Sequence, residues 1–286
     1  MEYIDLHVHS NASDGTFSPT EVVQLAVAGN IRAIALTDHD TLAGIPEAQK
    51  AAGAEQAKGY AIQIIAGTEI SVSYRQRDIH ILGLFVNPEN ESLNQALQDA
   101  KQNRERRNDR MAERLQAAGI DITVGKMRST EGDAVLTRAH FAKYMVANGY
   151  VKTIQDAFNK YLNSDSPYYV AREYLDPGEA ISLIHSAGGL AILAHPLLYK
   201  YSLDEVEQLV SYLAGLELDG IEAIYTANIG FDEGRMRHLA NKYNLVISGG
   251  SDFHGANKPD ISLGTGRSNL KIPYTVLTDL EKRLIG

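Results

Sequence analysis

The sequence predicts an α/β fold: a parallel sheet closed as a barrel, carrying a helical insertion. Three observations point to it. Short apolar runs alternate with capped helical stretches near both ends of the chain. The runs are continuous rather than polar-apolar alternating, as strands buried on both faces require. The rhythm stops after Pro88 and resumes near residue 175, with one long charged helix and shorter ones between. At 286 residues the chain is long enough for one large domain with an insertion.

Taken in order, Tyr3–His9 reads as the first strand. Ser18-Pro19-Thr20-Glu21 is a helix start, with Ser18 as N-cap, Pro19 where its missing N–H is harmless, and Glu21 completing a capping box. Gly29 ends this helix, Ile31–Thr37 is a strand, and Ile45–Lys58 is a helix closed by Gly59. Ile62–Ile65 and Ile79–Phe85 are further strands. From Glu91 to Ala118 one long helix carries Leu93, Leu97, Met111 and Leu115 on its apolar side and stops at Gly119. Helices at Arg138–Asn148 and Ile154–Asn163 follow, the second capped by Thr153. Asp176-Pro177-Gly178-Glu179 is another capping box; Leu190–Ala194, Gly220–Ile224 and Leu245–Ser248 are buried strands, with helices at Leu203–Leu213 and Glu233–Tyr243. This assigns residues 1–87 and 175–286 to the barrel and 88–174 to a helical insertion covering the site.

Composition narrows the chemistry. No cysteine is present, so thiolate metal sites, iron–sulfur clusters, disulfides and cysteine nucleophiles are excluded. A metal must sit on imidazole and carboxylate, which suits Mn, Fe, Zn, Co or Mg. The net charge of −9 argues against coating duplex DNA but tolerates a cation-collecting centre. The apolar stretch from Ala180 to Leu198 contains His185, His195, a Gly188-Gly189 break and Pro196, so it reads as helix, turn and strand rather than a membrane span. The N-terminus lacks the basic and apolar regions of a signal peptide, and a cytoplasmic location is expected.

Ionisable residues gather where strands end. His7 and His9 share a strand face by the period of two. Asp14 follows in the next loop; Asp38, His39 and Asp40 stand in a row after the second strand. Glu69 ends an apolar run, His80 enters a strand beside Asp78, His195 ends the Ala191–Ala194 run, and Asp252 and His254 follow the last strand two residues apart. Each fragment alone also reads as a turn or a satisfied core residue. Of the nine histidines, only His185 and His238 look like ordinary helix residues. Strand ends on one barrel rim converge, so the set points to a polynuclear metal site.

The motifs Asp5-Leu-His7-Val-His9-Ser10, Thr37-Asp38-His39-Asp40-Thr41, Gly67-Thr68-Glu69, His80, Ala194-His195-Pro196 and Ser251-Asp252-Phe253-His254 together resemble the PHP-domain (polymerase and histidinol phosphatase) family, in order from residue 5 to 254. The match is similar to the stand-alone bacterial subgroup of nucleoside 3′,5′-bisphosphate phosphatases and 5′-3′ exoribonucleases, which carries a helical insertion. The resemblance implies a distorted (β/α)7 barrel and three divalent metals per chain, Mn foremost. It implies that His7, His9, Glu69 and Asp252 hold one metal, that Glu69 bridges to a second held by His80 and His195, and that Asp14, His39 and His254 hold the third. In the insertion, Arg138 and His140 resemble the subgroup's phosphate-facing pair, with Arg172 a further phosphate candidate. Where some relatives place an Arg this chain has Leu198, and Lys200 is the expected substitute.

The chemistry expected is hydrolysis by a metal-bridging hydroxide without a covalent enzyme intermediate, with His140 or Asp38 assisting proton transfer. Arg138 adds a planar fork for phosphate oxygens. The expected substrates are nucleoside 3′,5′-bisphosphates and short 5′-phosphorylated single-stranded RNA. The alternatives are a histidinol-phosphate-type metabolite phosphatase and, outside catalysis, a metal-binding regulatory protein.

Overall fold

A computed structural model describes residues 2–132, 135–171 and 173–285. Its strands are β1 (Tyr3–Val8), β2 (Ile31–Leu36), β3 (Gln63–Tyr74), β4 (Arg77–Leu84), β5 (Leu190–Leu193), β6 (Gly220–Tyr225) and β7 (Val246–Gly250). They pair in sequence order as one seven-stranded sheet. Backbone hydrogen bonds from Asp252 N to the His7 carbonyl (2.9 Å) and from His9 N to the Phe253 carbonyl (3.0 Å) join its two edges and nearly close the barrel.

The expectation of a wholly parallel sheet needs correction at β4, which runs antiparallel to both β3 and β5. β3 and β4 form a hairpin turning at Arg75 and Gln76, whose φ values of 49° and 62° are both left-handed, as a two-residue primed turn requires. The turn lacks the Asn-Gly type of signature, so nothing in the sequence flagged it. β3 is also far longer than Ile62–Ile65. Glu69 therefore lies within a strand and not past its end.

Around the sheet stand α1 (Pro19–Ala28), α2 (Ile45–Ala57), α7 (Pro177–Ser186), α8 (Leu203–Ala214) and α9 (Asp232–Lys242). The Ser18 box forms as expected. Asp176 caps α7 by accepting from Gly178 N, without the reciprocal Glu179 bond that a capping box needs. Two apolar layers result. One lies between the strands and the outer helices and includes Val22, Ala48, Ile181, Leu209 and Met236. The other joins Ile4, Leu6, Ala33, Leu82 and Ile192 to Val276, Leu277 and Leu280 of α10 (Thr275–Ile285), a helix the sequence reading overlooked. The Tyr3–Pro273 bridge puts α10 near the start of β1, so the opposite end of the barrel is free to carry chemistry.

Between β4 and β5 run α3 (Glu91–Ala117), α4 (Val124–Glu131), α5 (Arg138–Ala147) and α6 (Ile154–Ala157), the last continuing into a π-helical turn at Phe158–Leu162. α4 was not expected, and the helix expected over Ile154–Asn163 changes pitch at Phe158. α3 bridges two cores: Leu93 and Leu97 belong to the barrel layer, while Met111 and Leu115 pack with Phe141, Met145 and Leu162.

Candidate metal centre

β1 delivers His7 and His9 to one side of the strand, with their Nε2 atoms 3.1 Å apart. Glu69, reaching in from β3, is the hub. Its Oε2 lies 3.4 Å from His7 Nε2, 3.2 Å from His9 Nε2 and 3.2 Å from His39 Nδ1. Its Oε1 lies 2.7 Å from His80 Nδ1 and 3.0 Å from His195 Nε2. On the far side of His9, Asp14 sits 3.2 Å from His254 Nε2 and 3.7 Å from His39 Nε2. Asp252 turns Oδ1 to within 3.7 Å of both His7 and His9. Its backbone φ of 60° shows that a left-handed turn, not strand alternation, relates it to His254.

Three donor groups emerge from this packing: His9, Asp14, His39 and His254; His7, His9 and Glu69; and His39, Glu69 and His80. His9, His39 and Glu69 each belong to two of them. His195 contacts Glu69 and Asp252 contacts His7 and His9, at the margins of these groups.

Electrostatics fit a site for cations. Burial pushes Glu69 up, but His80, His39 and His7 outweigh it and hold its carboxyl well below the usual range. Burial likewise raises Asp14 and Asp252, yet His254 beside the first and Lys258 beside the second outweigh it and keep both well below the usual range. Burial lowers His80, but Glu69 and Asp78 carry it up to about 10. His39, dominated by burial, falls to about 3. A dense set of ionised carboxylates facing imidazoles is a donor arrangement that divalent cations satisfy. The Nδ1 atoms of His9 and His195 are buried with no hydrogen-bond partner among the described residues. Such orphaned nitrogens cost about 1–3 kcal/mol each unless an ion or water meets them.

Several supporting residues escaped the sequence reading. Glu222 of β6 places Oε1 3.1 Å from His7 Nδ1, and its Oε2 accepts from His195 N at 2.8 Å. The signal was present: a carboxylate inside the apolar run Gly220–Ile224. Lys258 donates to Asp252 Oδ2 at 2.6 Å, as does the Tyr225 hydroxyl at 2.7 Å. Arg104 and Arg107 are buried on α3, where Arg104 pairs with Asp40 and donates to Ser71 Oγ at 3.4 Å. Arg104 follows Leu97 by seven residues, on the apolar stripe, which is the clue that it faces inward.

Beside the cluster opens a cavity of about 210 Å³. The barrel contributes Asp14, His39, Asp78, His80, His254 and Lys258 to its wall, and the inserted helices contribute Arg104, Arg107, Thr137, Arg138 and Phe158. Arg138 Nη2 lies 3.5 Å from Asp78 Oδ2. The other expected substrate residues are placed differently. His140 is buried and its Nδ1 accepts from Thr137 N at 2.9 Å, closing the α5 capping box. Asp38 accepts from Ser10 N (2.9 Å), Ser10 Oγ (2.7 Å) and Ser13 Oγ (2.6 Å), so its carboxylate is spent on the loop that carries Asp14. Lys200 is exposed, outside the cavity wall, and holds a left-handed φ of 56° after a 3-10 turn; Lys258 stands in the cavity instead. Arg172 lies outside the described residues.

A barrel rim gathering imidazoles and carboxylates around one bridging glutamate, beside a cavity lined by four cationic side chains, defines a metal-dependent hydrolase of anionic esters. The model of the PHP domain matches residues 5–195. The chain is 38% identical over 250 residues to a 5′-3′ exoribonuclease of Haemophilus influenzae, covering 87% of this chain and 89% of the relative. It is 33% identical to a 3′,5′-nucleoside bisphosphate phosphatase of Chromobacterium violaceum, covering 100% and 99%. A solved structure of an amidohydrolase from Chromobacterium violaceum, with bound sulfate and no metal, superposes with a TM-score of 0.87 at 33% identity, covering 98% and 96%. The chain belongs to the PHP domain family and is a metal-dependent phosphoesterase.

Proposed function

We propose that this enzyme removes the 3′-phosphate of nucleoside 3′,5′-bisphosphates and trims short 5′-phosphorylated RNA from its 5′ end. The carrying observation is charge: Arg104, Arg107, Arg138 and Lys258 line one small cavity next to the carboxylate–imidazole cluster. Arg138, which meets Asp78 only at 3.5 Å, can turn to a second anion beside the cluster, and a terminal 5′-phosphate supplies one. The names of the relatives point to the same pair of substrates.

Three divalent ions, Mn foremost, are held by His7, His9, Asp14, His39, Glu69, His80, His195, Asp252 and His254 in this reading. When bound they neutralise the phosphoryl charge and make the attacking water more acidic. The chain's own residues do the rest. Arg138 and Lys258 bind the phosphates and orient the ester bond over the cluster. Asp38 and His140 act as positioning residues, the first by fixing the Ser10–Asp14 loop and the second by capping α5 beneath Arg138. Residues 88–174 form an insertion that roofs the cavity carried by the barrel of 1–87 and 175–286. A cytoplasmic setting suits such substrates; among the described residues no helix is long and apolar enough to cross a membrane.

The test is phosphate release from adenosine 3′,5′-bisphosphate by Mn²⁺-loaded protein, with the product identified. Formation of 5′-AMP is expected, and Arg138→Ala should raise KM about tenfold or more through the lost charge-assisted bonds. Turnover of histidinol phosphate with no release from the bisphosphate would overturn the substrate reading.

A further inference from the structure

One carboxylate faces both halves of the site. Asp78 and His80 lie two residues apart on β4, so the period of two puts them on one strand face. His80 turns Nδ1 to Glu69 Oε1 at 2.7 Å, inside the donor cluster, and leaves Nε2 3.5 Å from Asp78 Oδ1. The other oxygen of Asp78, Oδ2, lies 3.5 Å from Arg138 Nη2. Arg138 comes from α5 of the insertion, where it donates to the Leu162 carbonyl at 3.4 Å and stands 5.6 Å over the Tyr169 ring. Asp78, His80 and Arg138 all line the catalytic cavity.

We propose that Asp78 is a positioning residue that couples the metal centre to substrate recognition: one oxygen aims His80 into the cluster, and the other holds Arg138 beside it. The substrate arm rests on the phosphate-binding role given to Arg138 above. An imidazole that binds a metal through one nitrogen needs its other N–H held in place, and a carboxylate is a common partner for it. Arg138 has a different need. Its side chain is long and flexible, and a fork already fixed in the cavity loses less freedom when an anion arrives. At 3.5 Å the hold is loose enough for a phosphate to take the guanidinium over. Because β4 belongs to the barrel and α5 to the insertion, Asp78 also sets how far the phosphate-binding fork stands from His80.

The experiment measures Mn²⁺ binding by isothermal titration calorimetry, and KM for adenosine 3′,5′-bisphosphate at saturating Mn²⁺, with circular dichroism as the control for folding. The variants are Asp78→Asn, Arg138→Ala and the two combined. Asn keeps the shape but offers one acceptor oxygen in place of two and carries no charge. Asp78→Asn is expected to weaken Mn²⁺ binding about tenfold. It should also raise KM about threefold to fivefold, as a partly exposed ion pair allows. Arg138→Ala should raise KM without weakening Mn²⁺ binding. Adding Asp78→Asn to it should weaken Mn²⁺ binding but raise KM no further, because the substrate arm runs through Arg138. Unchanged Mn²⁺ binding in Asp78→Asn, a lowered KM, or an additive rise of KM in the double variant would each overturn the coupling. Asp78→Glu keeps the charge but not the reach; Mn²⁺ affinity equal to that of the unaltered protein would mean that charge alone acts, and would overturn the aiming of His80. If the unaltered protein does not turn over the bisphosphate, or Arg138→Ala leaves KM as it was, the substrate reading falls and takes the substrate arm with it. The metal arm is then decided by calorimetry: it stands if Asp78→Asn weakens Mn²⁺ binding and is overturned if it does not.

Discussion

Glu222 shows how a residue outside the donor groups can govern them. Its two oxygens fix the His7 ring through Nδ1 and the backbone of His195, holding two elements of the cluster at once. Burial alone would strip His7 of its proton, but Glu222, Glu69 and Asp252 outweigh that and raise its pKa well above the ordinary value. The same carboxylate would keep Nε2 aimed at a metal and strengthen it as a ligand. Glu222→Gln, which preserves shape, is expected to weaken metal affinity about 10- to 100-fold while leaving the fold intact. Titration of Mn²⁺ against activity, with circular dichroism as the control for folding, checks this. Arg138, Lys258 and Asp252 act at the same scale, each with a partner on another element: Asp78 for Arg138, and Tyr225 and Lys258 together for Asp252.

At the scale of elements, the centre depends on how closely β1 and β7 approach. Gly250 of β7 faces His7 so tightly that an added Cβ would lie 2.2 Å from His7 Cβ and 2.7 Å from its backbone N. Gly250→Ala must push the two strands apart. Overpacking of this kind costs about 3 kcal/mol or more because backbone, not a flexible side-chain tip, stands in the way. Thermal unfolding should show a Tm lowered by several degrees, together with reduced metal binding since His7 moves. The inserted helices are tied to the barrel by polar contacts at three places around the site: Val135 N to the Ala12 carbonyl (3.1 Å) and Thr137 Oγ1 to Asp14 Oδ2 (3.0 Å), Arg104 to Asp40, and Arg138 to Asp78 of β4. The cavity-lining arginines and the donor-bearing segments are thus positioned by the same bonds.

For the whole molecule, the cluster concentrates buried charge at the end of the barrel away from α10. Ionised Glu69, Asp14 and Asp252 are packed among imidazoles in a space from which water is largely excluded. Bound cations should therefore stabilise the native state by mass action, about 2.7 kcal/mol for one site at a hundredfold excess over Kd. Chelator treatment is expected to abolish turnover and lower Tm by several degrees, with Mn²⁺ restoring both; differential scanning calorimetry alongside the phosphate assay measures the pair. An unchanged Tm after verified metal removal would show that the cluster is held by its hydrogen bonds alone.

What the sequence determined by itself were the local features, those set by neighbours along the chain. Period-two spacing put His7 and His9 on one face, Ser18 and Thr153 announced helices, and Leu93 to Leu115 marked one side of α3. The family and its phosphoesterase chemistry were also legible, because the motifs fall in the family's order along the chain. Tertiary structure alone decided what depends on distance between remote segments. It reversed β4, since Arg75 and Gln76 adopt left-handed turns that their residue types do not advertise. It turned the carboxylate of Asp38 away to serine donors, left Lys200 outside the cavity, and brought Arg104, Lys258 and Glu222 to the site. The physical reason is that a side chain's partner is chosen by the packing of elements that are scores of residues apart in the chain, whereas a cap or a strand face is fixed within a few residues.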